Sequence, residues 1–101
     1  MKNLLEHLNK AFESKARLGI MSVLMVNEAL DFNALKELLS LTDGNLASHL
    51  RALEEAGYLA VRKQFVGRKP NTSYEATATG REAFTQHLNA LEALIRGNRE
   101  S

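Results

Sequence analysis

Cysteine is absent from the chain. That excludes disulfides, thiolate zinc sites and a cysteine nucleophile, and it fits a reducing compartment. Proline occurs once, at Pro70, so the strongest turn signal is confined to one place. No apolar run approaches the roughly 20 residues needed to span a bilayer. The opening stretch MKNLLEHLNK lacks the apolar core and cleavage site of a signal peptide. A cytoplasmic protein is expected. Internal repeats, low-complexity tracts and long linkers are missing too. So are a nucleophile elbow, a phosphate loop and a paired-carboxylate motif, so no enzyme and no cofactor are expected. His7, His49 and His87 fall in three different predicted helices without ligand spacing, and no metal site is expected. His7 and His87 are read as solvent-facing or interfacial. Net charge is only +1, which by itself points to no polyanionic partner.

What is present is one domain's worth of chain. The 101 residues are 45% apolar and 25% charged, the balance of a globular protein. A chain this short buries a modest core, and a second copy would add to it. The charge is unevenly placed. Residues 1–57 carry six Lys/Arg and eight Asp/Glu, net −2. Residues 58–72 carry Arg62, Lys63, Arg68 and Lys69 and no acid, net +4. Residues 73–101 return to net −1.

Periodicity divides the chain into a mainly α arrangement with a small β-hairpin, an α+β class. Leu4, Leu5, Leu8 and Phe12 lie on one side of a short N-terminal helix, residues 1–13. Ser14 is the expected N-cap of a second helix, apolar nearly all round and therefore central. The stretch LDF suits a short strand. Asn33 is placed as the cap of a helix with Leu35, Leu38 and Leu39 inward. Thr42 caps the next helix, which ends at Gly57 as a left-handed C′ residue. Two helices joined by a tight turn form a helix-turn-helix. Leu59, Val61 and Phe65, then Tyr74, Ala76 and Ala78, predict two strands around a GRKPN turn. Thr79 to Glu82 fits a capping box, opening a last helix over 79–101. The core domain thus spans 14–78.

The third of these helices presents two faces. Leu46, Leu50 and Leu53 cluster on one. Asn45, Ser48 and Arg51 lie on the other or on its flank, thin and polar near the N-terminus. A major groove about 12 Å wide admits a helix whose leading face is not bulky. The first residues of such a helix touch base edges, and its free N–H groups suit a phosphate. An ordinary capped surface helix is the alternative reading. His49 sits at the boundary of the buried side, as a packing residue or phosphate contact. Arg62, Lys63, Arg68 and Lys69 make a cationic projection suited to phosphates. A charged edge that merely blocks strand-to-strand aggregation is the competing explanation.

In this order the residues resemble a known family. LTDGNLASHLRALEEAGYLA, GRKPNTSY and TATGR are similar to motifs of winged helix-turn-helix regulators of the MarR/ArsR/PadR type. The closest pattern is the compact subgroup with LTDGNLSxHLRxLEEAGYV, GRKPxTxY and TxxGR. The resemblance covers roughly residues 14–84. It implies a three-helix core with a β-wing, a homodimer, and binding to promoter DNA, usually as a repressor. It places Thr42, Asp43, Asn45, Ser48 and Arg51 in the groove and Arg68, Lys69 and Pro70 on the wing. Glu75 departs from the pattern and weakens phosphate attraction on its strand face. Ala76 stands where a bulkier apolar residue is usual. In related regulators a small molecule often binds near the dimer interface; here Met and Leu residues of the Ser14 helix either line such a pocket or are plain core.

Phe84, Leu88, Leu91 and Ile95 recur at spacings close to a two-helix seam. Together with Leu4, Leu5, Leu8 and Phe12 they are the expected dimer interface, symmetric pairs being the commonest assembly. The rival to a DNA-binding regulator is a winged helix that docks a protein and ignores DNA.

Overall fold

The computed structural model describes residues 4–97. Two 3-10 turns, Leu4–His7 and Lys10–Phe12, precede helix α1 (Lys15–Met25). Strand β1 (Leu30–Asp31) leads into helices α2 (Phe32–Leu39) and α3 (Asp43–Glu55). Strands β2 (Leu59–Val66) and β3 (Lys69–Ala76) form the hairpin, and α4 (Ala78–Gly97) closes the chain. The sheet is antiparallel with order β1-β3-β2. Four helices and a three-stranded sheet make a winged-helix α+β fold. Over residues 4–13 the expected N-terminal helix is broken into its two turns, Asn9 capping the second of them by accepting from Ala11 N–H; residues 1–3 lie outside the described residues. Residues 98–101, expected to extend the last helix, lie outside the described residues.

The core gathers one stripe from each helix. Ile20, Met21 and Leu24 of α1 meet Leu35 of α2 and Leu46, Leu50 and Leu53 of α3. Phe12, Leu59, Ala76 and Phe84 complete it. Leu38 departs from expectation: it is 59% exposed, because α2 has only one side against α1 and α3. Ser14 caps α1 and Thr42 caps α3, each accepting an N–H three residues on. The cap of α2 is Asp31 rather than Asn33, since its carboxylate accepts from Ala34 N–H at 2.8 Å. Ser40 takes the left-handed conformation, φ +53°, in the turn between the two helices.

The junction of α3, β2 and α4 fixes the rest. Gly57 has φ +81°, and the N–H groups of Gly57 and Tyr58 donate to Glu54 and Leu53 carbonyls. This is a Schellman end. Thr77 donates its hydroxyl proton to the Gly57 carbonyl at 2.7 Å and accepts from Gly80 N–H at 2.9 Å. Thr77, not Thr79, is therefore the cap of α4. Gly80 lies against Tyr58 so closely that a Cβ there would stand 1.9 Å from the Tyr58 carbonyl oxygen. Arg81 reaches back and donates to the Met25 and Leu24 carbonyls at 3.2 and 3.3 Å, closing the C-terminus of α1. The TATGR motif is thus a fastening between helices.

The hairpin turn is tighter than the GRKPN stretch predicts. Val66 pairs with Lys69 across Gly67 and Arg68 alone. Gly67 has φ +68° while Arg68 does not have positive φ, the pattern of a type II′ turn. Pro70 is not in the turn. It lies in β3 opposite Phe65, beyond the reach of β1, where its missing N–H leaves no ladder bond unmade.

Candidate nucleic-acid interface

Helix α3 stands on the core through its leucines and turns its first two turns outward. Asn45, Ser48 and Arg51 are all exposed, as are Thr42 and Asp43. Asp43 accepts an ion pair from Lys36 Nζ at 2.8 Å, so its charge is answered within the helix-turn-helix. His49 is half-buried on the flank. Its Nδ1 accepts from Arg17 Nε at 3.1 Å, which braces α3 against α1 and takes one lone pair of His49 out of use. No sequence pattern singles out Arg17 or Lys36. Their partners lie 32 and 7 residues away along the chain, and only the packing of helices brings them together.

The hairpin rises beside α3. Between them is a cleft of about 390 Å³ lined by Ala47, Leu50, Arg51, Glu54, Lys63 and Tyr74, among others. Arg51 of the helix and Lys63 of β2 thus face one space. Tyr74 sits in it with its hydroxyl pKa raised above 10.0, by burial first and then by the charge of Glu54. The hydroxyl stays protonated at neutral pH and can donate. Periodicity alone makes Tyr74 an apolar strand position; its register opposite Val61 aims it at α3.

Of the four wing cations, one is already partnered. Arg62 Nη2 donates to Glu75 Oε2 at 2.7 Å, diagonally across the strands. Glu75 therefore answers Arg62 within the protein. Among the described residues, Lys63, Arg68 and Lys69 are the wing cations without an ion pair. Arg68, Lys69 and Pro70 are all exposed at the tip.

The expected dimer residues divide. Phe12 and Phe84 are each 2% exposed and meet edge to face within the single chain, 5.2 Å between ring centres. They belong to the core. Leu5, Leu88 and Ile95 are 62%, 43% and 66% exposed, and Leu8 and Leu91 are half-buried. The side chain of Leu4 lies outside the described residues. His87 is neither solvent-facing nor interfacial: it is 4% exposed, and its Nδ1 accepts from Asn9 N–H at 3.0 Å. Asn9 Nδ2 donates in turn to the Tyr58 hydroxyl, pinning the N-terminal segment over α4. Met21 and Leu24 are fully buried core, while Leu18 borders an open groove of about 660 Å³ between α1 and α2.

A sequence model of winged helix DNA-binding domains matches residues 16–95. The chain belongs to that family. This winged-helix chain is 40% identical over 79 residues to an uncharacterised protein of Methanocaldococcus jannaschii, covering 78% of the chain and 86% of that protein. It superposes on a transcriptional regulator homologue from Pyrococcus horikoshii with a TM-score of 0.80 at 36% identity, over 86% of each chain. A MarR-family regulator from Enterococcus faecalis shares the fold, with a TM-score of 0.69 at 22% identity over 95% of this chain and 79% of that one. Winged-helix transcriptional regulators are therefore its relatives in sequence and in fold.

Proposed function

We propose that the protein is a homodimeric, sequence-specific regulator that represses transcription by occupying duplex DNA in the cytoplasm. The observation that carries this is the shared exposure of Asn45, Ser48 and Arg51 on α3, with Lys63 of the wing facing the same cleft as Arg51. One surface offers both base-reading groups and phosphate-binding charge. Helix α3 enters the major groove by its N-terminal turns. The N–H groups at the start of α3 and Lys63 take flanking phosphates, and Arg68 and Lys69 reach the next stretch of backbone or minor groove. Tyr74 adds a hydroxyl donor beside Arg51.

The dimer forms through the outer face of α4 and the N-terminal turns, by Leu5, Leu8, Leu88, Leu91 and Ile95. The single chain is elongated, 61 × 25 × 21 Å, and α4 leaves Ile95 mostly and Leu88 partly in water on this face. Two recognition helices then sit about one helical turn of DNA apart, roughly 34 Å, or a multiple of it. The groove between α1 and α2 is the apolar space open to a small-molecule effector.

Selection from a pool of random duplexes by the purified protein tests the proposal. The expected result is enrichment of an inverted repeat. Half-site centres should lie about 10 base pairs or a multiple apart. Asn45→Ala and Arg51→Ala should each weaken the enriched site by about 1–3 kcal/mol and random duplex by less. A pool that shows no enrichment and no binding at low salt would favour a protein-docking winged helix instead.

A further inference from the structure

The wing tip carries an apolar group that charge alone does not account for. The chain has four phenylalanines. Phe12 and Phe84 are core, Phe32 packs against it, and Phe65 is 74% exposed. Val66, its neighbour, is 62% exposed. An apolar strand end in water invites pairing with another strand. Here Arg68 and Lys69 stand beside it, so a second copy of the same tip would be repelled, whereas a polyanion would be drawn in.

Register says which way Phe65 faces. Side chains alternate along a strand, so Phe65 shares a face with Val61 and Lys63. Their partners across the hairpin are Tyr74, Thr72 and Pro70. Val61, Lys63, Thr72 and Tyr74 all line the cleft against α3. Phe65 and Pro70 therefore extend that same face outward, with Phe65 roughly 7 Å beyond Lys63. From Arg62 to the turn, every residue of β2 is exposed, so nothing among the described residues covers them. A ligand gripped by α3 and Lys63 meets Phe65 and Pro70 next.

We propose that Phe65, backed by Pro70, is a wedge that enters the DNA minor groove, partly unstacks one base step and bends the duplex. This rests on the DNA-binding reading above. Phe and Pro are side chains that act this way when cations beside them hold the phosphates. Unstacking is easiest at pyrimidine–purine steps and hardest in stiff A-tracts. Phe65 therefore makes the protein sensitive to the step beneath the wing without a hydrogen bond to any base.

The test uses the duplex enriched by the wild-type protein, end-labelled for energy transfer, in two versions. One carries TA and the other AA at the step under the wing. Anisotropy gives affinity, transfer efficiency gives the end-to-end distance, and sedimentation gives the assembly state. Wild type should shorten the end-to-end distance and bind the TA version roughly fivefold more tightly. Phe65→Gln, an exposed change that leaves the core alone, should bind a straight duplex and lose the preference. Phe65→Leu should keep much of both. A Phe65→Gln protein that bends and discriminates like wild type overturns the wedge while leaving DNA binding intact. So does one that changes only the assembly state, which would make the tip a contact between copies. If wild type binds no duplex, the DNA-binding reading itself fails, and the wedge with it.

Discussion

Gly80→Ala separates helix propensity from tertiary packing by the sign of its effect. Alanine is the better helix former by about 1 kcal/mol, so local propensity predicts stabilisation. The structure predicts the reverse. The added Cβ would sit 1.9 Å from the Tyr58 carbonyl oxygen and 2.9 Å from its Cα, both backbone atoms that cannot swing aside. To restore even a 3.0 Å separation, α4 must retreat by about 1 Å. That retreat strains Thr77 N–H to the Tyr58 carbonyl and both bonds of the Thr77 hydroxyl. Losing these three bonds removes about 3 kcal/mol, each contributing about 1. Net of propensity, the variant should be about 2 kcal/mol less stable, a fall in Tm of roughly 10 °C for a domain of this size. Gly44→Ala is the control: it lies in α3 with nothing among the described residues outside the helix's own backbone within 4 Å of the new methyl, and should raise stability by up to about 1 kcal/mol. Thermal and urea unfolding at fixed protein concentration measure both. A Gly80→Ala protein as stable as wild type would refute the argument that α4 is seated by this contact.

Four further outcomes are expected. Ser40→Gly should stabilise the fold by up to about 1 kcal/mol, since glycine takes the left-handed turn without a Cβ penalty; urea midpoints check it. Arg81→Ala should destabilise by about 1.5–3 kcal/mol by leaving the Leu24 and Met25 carbonyls without their charged donor, measured in the same assay. If the chain pairs through α4 as proposed, Leu88→Asp with Ile95→Asp should give a folded monomer in sedimentation where wild type gives a dimer, because both side chains are exposed in the single chain. Tyr74 has its pKa raised in the folded state above 10.0, so deprotonation above pH 10 is resisted by the fold and opposes it: stability is unaffected below the unfolded value and falls as pH rises beyond it. Urea unfolding across pH should therefore show wild type declining above pH 10 more steeply than Tyr74→Phe.

Helix α3 is legible because its signals are local. Thr42 caps it, Gly57 ends it, and the leucines at 46, 50 and 53 mark its buried face within thirteen helical residues. What stays hidden depends on contacts distant in sequence. The stripe of Phe84, Leu88, Leu91 and Ile95 has a seam-like spacing, yet α4 rolls so that Gly80, Phe84 and His87 face the core. The cause is the seat of Gly80 on Tyr58 and the reach of Asn9 to His87, neither of which has a local pattern. Thr79 and Glu82 satisfy the capping-box spacing, but Thr77 wins because its hydroxyl also binds Gly57. Arg62 reads as a free cation until the two-residue turn fixes the register that brings Glu75 within 2.7 Å. A one-residue slip of that register would turn every side chain of the slipped strand to the other face, so the turn decides which cations the wing presents.

The central claim, that α3 and the wing grip duplex DNA, is tested most directly by salt. Anisotropy of the wild-type protein and of Arg68→Ala with Lys69→Ala should be followed across a salt series on the enriched duplex. Wild type should lose affinity steeply with salt. The double variant should give a slope shallower by about 0.9 for each phosphate it no longer neutralises, about two per subunit. An unchanged slope would remove the wing from the interface, and a flat wild-type slope would contradict DNA binding altogether.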